Sequence, residues 1–173
     1  MNLTNYYWYF KSAIPPKICD DICKYGKQLQ DQIAVTGGYQ VEKLNKKQIT
    51  NFKKKRNSDI VWMNDRWIYN EIQPYIHEAN KNAGWNFNWD FSESFQFTKY
   101  KKEQYYGWHC DSWDKPYDSP QNPNSHGKIR KLSVTVTLSD PKDYKGGELE
   151  FDFRNMDPDK KRNVYKCKEI LPK

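Results

Sequence analysis

An α+β fold, its β part a sandwich or jelly roll, is what this chain of 173 residues predicts, and three observations carry the prediction. Apolar residues in the first half recur every three or four positions, as a helix face requires. After Gly84 the period changes to two, as a half-buried strand requires. The chain is polar, with 36% hydrophobic residues and a net charge of +7, yet 16% of it is aromatic, which a disordered chain is not. One domain over residues 1–173 is expected, helical over about 1–84 and β over about 85–173.

The elements follow in order. Pro15 and Pro16 open a segment in which Ile18, Ile22, Tyr25, Leu29 and Ile33 share one helical face, until Gly37 and Gly38 break it. Lys43 to Arg56 holds seven basic residues and little apolar anchorage, so it reads as a solvated loop. A second helix is expected from a cap at Asn64 or Asp65 to Gly84, burying Trp67, Ile68, Ile72, Tyr75, Ile76 and Ala79, with Pro74 kinking it or marking its start. Trp85, Phe87, Trp89 and Phe91 then alternate with polar residues, as do Phe95 and Phe97. Leu132, Val134, Val136 and Leu138 form a further strand pattern, and Leu149, Phe151 and Phe153 another. Lys115 to Lys128, rich in Pro and Asn, reads as a long surface loop of the kind that serves as a lid.

Nothing in the sequence approaches a membrane span or a signal peptide, so a cytoplasmic protein without a membrane partner is expected. Cys19, Cys23, Cys110 and Cys167 form no Cys-x-x-Cys pair and are expected as free thiols.

The strongest chemical signal is Tyr105-Tyr106-Gly107-Trp108-His109-Cys110-Asp111. On an extended strand His109 and Asp111 project to one face, where an imidazole and a carboxylate can grip one metal ion. Taken alone the pattern also fits a surface histidine beside an unrelated aspartate. His77 has no partner at metal-ligand spacing nearby in the sequence and reads as a surface or packing residue, and His126 falls in the Pro- and Asn-rich loop, a poor place to fix a ligand.

The motif, together with Phe95-Gln96-Phe97-Thr98-Lys99-Tyr100, Arg130-Lys131-Leu132-Ser133-Val134 and Gly146-Gly147-Glu148-Leu149-Glu150-Phe151, resembles the Fe(II)/2-oxoglutarate dioxygenases. The prolyl 4-hydroxylase-like, PKHD-type hydroxylases match best within that group. The resemblance implies a double-stranded β-helix (jelly roll, cupin-like) with the N-terminal helices packed on one sheet. It implies His109 and Asp111 as iron ligands, and Tyr100 and Leu149 as contacts of 2-oxoglutarate. Tyr106 and Arg130 match positions that contact a peptidyl-proline substrate. Fe(II), 2-oxoglutarate and O2 are the implied cofactors, with ascorbate as a further reductant and a peptide or protein as substrate. The family pattern runs on past Lys173 to a distal histidine and a basic anchor for 2-oxoglutarate, so a C-terminally incomplete domain is expected. Two other functions fit the positive charge: a nucleic-acid-modifying dioxygenase, less favoured, and an inactive or non-catalytic polyanion-binding relative.

Overall fold

Helix α1 (Pro16–Gln28) starts on a proline, whose missing N–H is no loss in a first turn, while Ile18 and Cys19 donate to the Pro15 carbonyl at 2.9 and 3.1 Å. The structure, a computed structural model, describes residues 3–34, 43–112, 114–153, 159–161 and 163–167. The chain divides into two compact units, one of Met1–Cys23, Asn70–Asn86 and Thr135–Lys173, the other of Lys24–Tyr69 and Phe87–Val134.

The second unit carries a three-stranded antiparallel sheet in the order β1 (Gln32–Ile33), β3 (Asp59–Met63), β4 (Phe95–Lys99). Strand β4 is the predicted Phe95–Phe97 run. Strand β1 lies where the periodicity predicts helix, and β3 in a stretch for which it predicts no element. The first helix ends at Gln28, and Ile33 pairs with Asp59 instead of extending the helical stripe. β3 escapes a period-two reading because it is the central strand: Ile60, Val61 and Met63 are all buried, so its apolar residues run together. α1 approaches this sheet so closely that a Cβ on Gly26 would lie 2.6 Å from both the Met63 methyl and the Phe97 ring. A glycine in mid-helix, intrinsically unfavourable by roughly 1 kcal/mol, is what that approach requires.

The basic segment corrects the loop expectation. Lys46–Lys55 is helix α2, because the Asn45 side chain accepts from the Gln48 N–H at 2.9 Å and the Gln48 side chain accepts from the Asn45 N–H at 2.9 Å. This reciprocal cap satisfies donors that would otherwise favour an open chain. The helix runs directly into β2 (Arg56–Asn57), which pairs antiparallel with β5 (Tyr105–Tyr106).

Helix α3 (Arg66–Asn82) matches the second expected helix, with Ile68 and Ile72 buried but Trp67 exposed, contrary to expectation; Pro74 lies inside it and does not mark its start. Beyond it, Trp85 and Asn86 donate their N–H groups to the Asn80 carbonyl, and Asn86 takes a φ of 52°. These bonds close the helix end, so the aromatic alternation from Trp85 to Phe91 forms no strand. In the first unit, the Trp85 indole donates to the Thr4 carbonyl at 2.8 Å and the Tyr75 hydroxyl to that of Ala13 at 2.6 Å. β6 (Leu149–Asp152), the predicted Leu149–Phe153 run, pairs antiparallel with β7 (Val164–Cys167), and Tyr7 stacks on Phe151.

Residues 132–138 correct a second expectation, since they enter no ladder among the described residues. Alternation reports which side chains are half buried, whereas a strand also needs a neighbour for its N–H and C=O groups. The loop from 115 to 128 is irregular, as expected, and closes on itself: Tyr117 donates to the Lys128 carbonyl and Gly127 to that of Tyr117, both at 2.9 Å. Among the described residues no helix is long and apolar enough to cross a membrane.

Candidate functional site

Strand β5 delivers the site. The Gly107 N–H donates to the Lys55 carbonyl at 2.8 Å, so the chain leaves β5 tied to the end of α2. A Cβ at Gly107 would lie 3.1 Å from that same carbonyl oxygen, so only glycine fits without displacement. His109 and Asp111 follow outside any ladder, yet their side chains converge as the two-residue spacing predicts, with His109 Nε2 3.2 Å from Asp111 Oδ1.

The imidazole is oriented by two contacts. Its Nδ1 lies 2.8 Å from the Gly107 carbonyl, which can only accept, so Nδ1 carries a proton. Its ring stacks on Tyr106, with centroids 3.6 Å apart and planes 11° apart. Nε2 therefore faces the carboxylate either with a second proton or with a lone pair open to a cation. The hydrogen bond to Asp111 raises the His109 pKa, against the opposing pull of burial. The same bond lowers Asp111 to about 2, opposed by burial and helped by a hydrogen bond from Ser133. With Nε2 protonated the two groups form an ion pair, and a cation entering between them displaces that proton.

Asp111 is held at its side chain and at its backbone. The Ser133 hydroxyl donates to Oδ2 at 2.7 Å, and Arg130 Nη1 donates to the Asp111 carbonyl at 2.7 Å. Arg130 is itself fixed by Glu93, with Nε donating to Oε1 at 3.3 Å and Nη2 to Oε2, while its carbonyl accepts from the Ser112 hydroxyl at 2.7 Å. The Tyr106 phenol is pushed up by burial, against the opposing charge of Arg56, and stays neutral at physiological pH.

The structure thus brings together His109, Asp111, Tyr106 and Arg130. Tyr100 follows the end of β4 and is exposed. Leu149 opens β6 in the other unit, in register with Cys167. Trp113 lies outside the described residues. Sequence reasoning missed Arg56, Glu93 and Ser133. The polar positions Gln96 and Thr98 share one face of β4 and receive the Arg56 side chain, a signal that was present in the alternation of that strand.

A divalent iron accepts imidazole and carboxylate donors, and a histidine whose far nitrogen is bound to a backbone carbonyl is the usual arrangement of a metal ligand. His109 and Asp111 fit two of three protein positions on that ground. Among the described residues no group of three His, Cys, Asp or Glu side chains is placed to hold a metal.

Residues 95–170, which include His109 and Asp111, match the family model of the 2OG-Fe(II) oxygenase superfamily. A PKHD-type hydroxylase of Pseudoalteromonas atlantica is 41% identical over 58 residues. That match covers 33% of this chain and 23% of the relative, so less than a quarter of the relative's length is represented. No solved structure matches the chain.

Proposed function

We propose that the protein is an Fe(II)- and 2-oxoglutarate-dependent dioxygenase that hydroxylates a prolyl residue or related amino-acid target in a peptide or protein. The observation that carries the reading is the His109 ring, fixed at Nδ1 by Gly107 with Nε2 turned onto Asp111, inside the segment that matches the superfamily. The relative named a PKHD-type hydroxylase supports hydroxylation as the reaction. The reading includes the jelly roll that the family implies, and a cytoplasmic location.

When bound together, Fe(II), 2-oxoglutarate and O2 supply the oxidising power, with succinate and CO2 as co-products. The protein's residues set the geometry. His109 offers Nε2 and Asp111 offers Oδ1, while Ser133 occupies the other carboxylate oxygen and stops the group from rotating. Tyr100 and Leu149 are proposed to meet 2-oxoglutarate. Tyr106 is proposed as a substrate contact through its phenol, which is neutral at physiological pH. Arg130 is proposed as the second substrate contact; with Nη1 on the Asp111 carbonyl and Nε and Nη2 on Glu93, it also carries backbone position into the site.

The test is turnover by the natural protein that contains these residues. Given Fe(II), 2-oxoglutarate, air and a proline-containing peptide, it should form succinate and add one oxygen atom to the peptide, and His109→Ala should abolish both. Succinate formation no greater than that of the His109→Ala protein would overturn the reading.

A further inference from the structure

Arg56 is the buried cation of the described residues, 5% exposed, and the hydroxylase reading leaves it unused. Its hydrogen-bond partners are neutral: Nε donates to Ser58 Oγ at 3.0 Å, and Nη2 donates to Gln96 Oε1 and to Thr98 Oγ1 at 3.3 Å. Burying a guanidinium on neutral partners is costly, so its placement calls for a return elsewhere. That return is geometric. Arg56 is the register partner of Tyr106 between β2 and β5, and its guanidinium carbon sits 4.3 Å from the Tyr106 ring centroid. Tyr106 in turn lies 3.6 Å from the His109 ring, nearly parallel to it. A planar guanidinium over an aromatic face is attractive, and its rigid fork, tied to β4 and to Ser58, leaves the ring little freedom to tilt.

We propose that Arg56 is a positioning residue for His109, acting through the Tyr106 ring: the guanidinium holds the phenol plane, and the phenol plane holds the imidazole against Asp111. Arg56 touches neither the carboxylate nor the imidazole nitrogens by hydrogen bond. It fixes the one degree of freedom that the Gly107 carbonyl leaves open, rotation of the imidazole out of the stacking plane. The use of this arrangement in metal binding rests on the oxygenase reading; the arrangement itself does not.

The experiment reads the His109 ring directly. The His109 ring protons are assigned in the natural protein's NMR spectrum by their loss in His109→Gln. Stacking on Tyr106 places them upfield of ordinary histidine positions. Arg56→Lys, which keeps the charge and loses the planar fork, should move these resonances toward ordinary histidine positions and weaken Mn(II) binding about 10-fold. Tyr106→Phe, which keeps the ring, should leave both readouts as in the unaltered protein, and Tyr106→Leu should lose both. A folded Arg56→Lys protein with unchanged His109 resonances, or a Tyr106→Phe protein as disturbed as Tyr106→Leu, overturns the proposal. Should Arg56→Lys not fold, nuclear Overhauser contacts in the unaltered protein decide. Contacts from the Tyr106 ring to both the Arg56 side chain and the His109 ring support it, and the absence of either overturns it. If the resonances move as expected but no variant, nor the parent, binds Mn(II), the positioning role stands and the oxygenase reading falls.

Discussion

His109 and His126 both lie on irregular backbone of the same unit, and they are put to opposite uses. His109 Nδ1 faces a carbonyl and must donate, which leaves Nε2 turned toward Asp111. His126 Nδ1 accepts from the Ser119 N–H at 3.1 Å, and its backbone N–H donates to the Asn122 carbonyl, so the ring serves to close the 115–128 loop. Asp118 stands 4.0 Å from that same Nδ1 and is almost wholly exposed. A histidine next to an aspartate is therefore not enough to turn the ring onto the carboxylate. What separates the two is the backbone group that each ring nitrogen meets, and a stacking partner that holds the ring.

The comparison breaks most visibly at His109 itself. His109→Ala or Asp111→Ala should weaken Mn(II) binding by on the order of 100-fold or more, measured by calorimetry, because each removes a donor outright. Gly107→Ala is expected to follow: the added Cβ pushes against the Lys55 carbonyl, lengthens the bond that ties β5 to α2, and costs about 1 kcal/mol of stability by chemical denaturation. Ser133→Ala should leave the fold intact and lower Mn(II) affinity about 10-fold, since Asp111 loses the donor that fixes its second oxygen. Smallest of all, His126→Ala should leave Mn(II) affinity unchanged and cost about 1 kcal/mol or less, because it removes one exposed hydrogen bond of a loop held by several others. A His126→Ala protein that lost metal binding would remove the distinction between the two histidines.

Much of the site was legible in the sequence because its central pair sits two residues apart, where spacing alone predicts convergence. Arg56 was not legible: its basic neighbours Lys53, Lys54 and Lys55 lie in the last turn of α2, and one more cation after them looks like more solvated charge. Its burial is decided by β2 pairing with β5 and by the polar face of β4, both distant in sequence. The same limit applies to strands. β4 and residues 132–138 alternate alike, but β4 finds β3 as a hydrogen-bonding neighbour, and 132–138 finds none among the described residues. β3 was hidden for the opposite reason, as burial on both faces removes the alternation that marks a strand at all. Helix α2 was announced by Asn45 and Gln48, a capping pair that composition masks under six lysines and one arginine from Lys43 to Arg56.

The central claim is that His109 and Asp111 together form a cation site. Mn(II) titration of the natural protein, alongside His109→Ala, Asp111→Ala and His126→Ala, tests it most directly. One saturable site in the parent and in His126→Ala, lost in both of the other variants, is the result the account predicts. Equal affinity in all four proteins would contradict it.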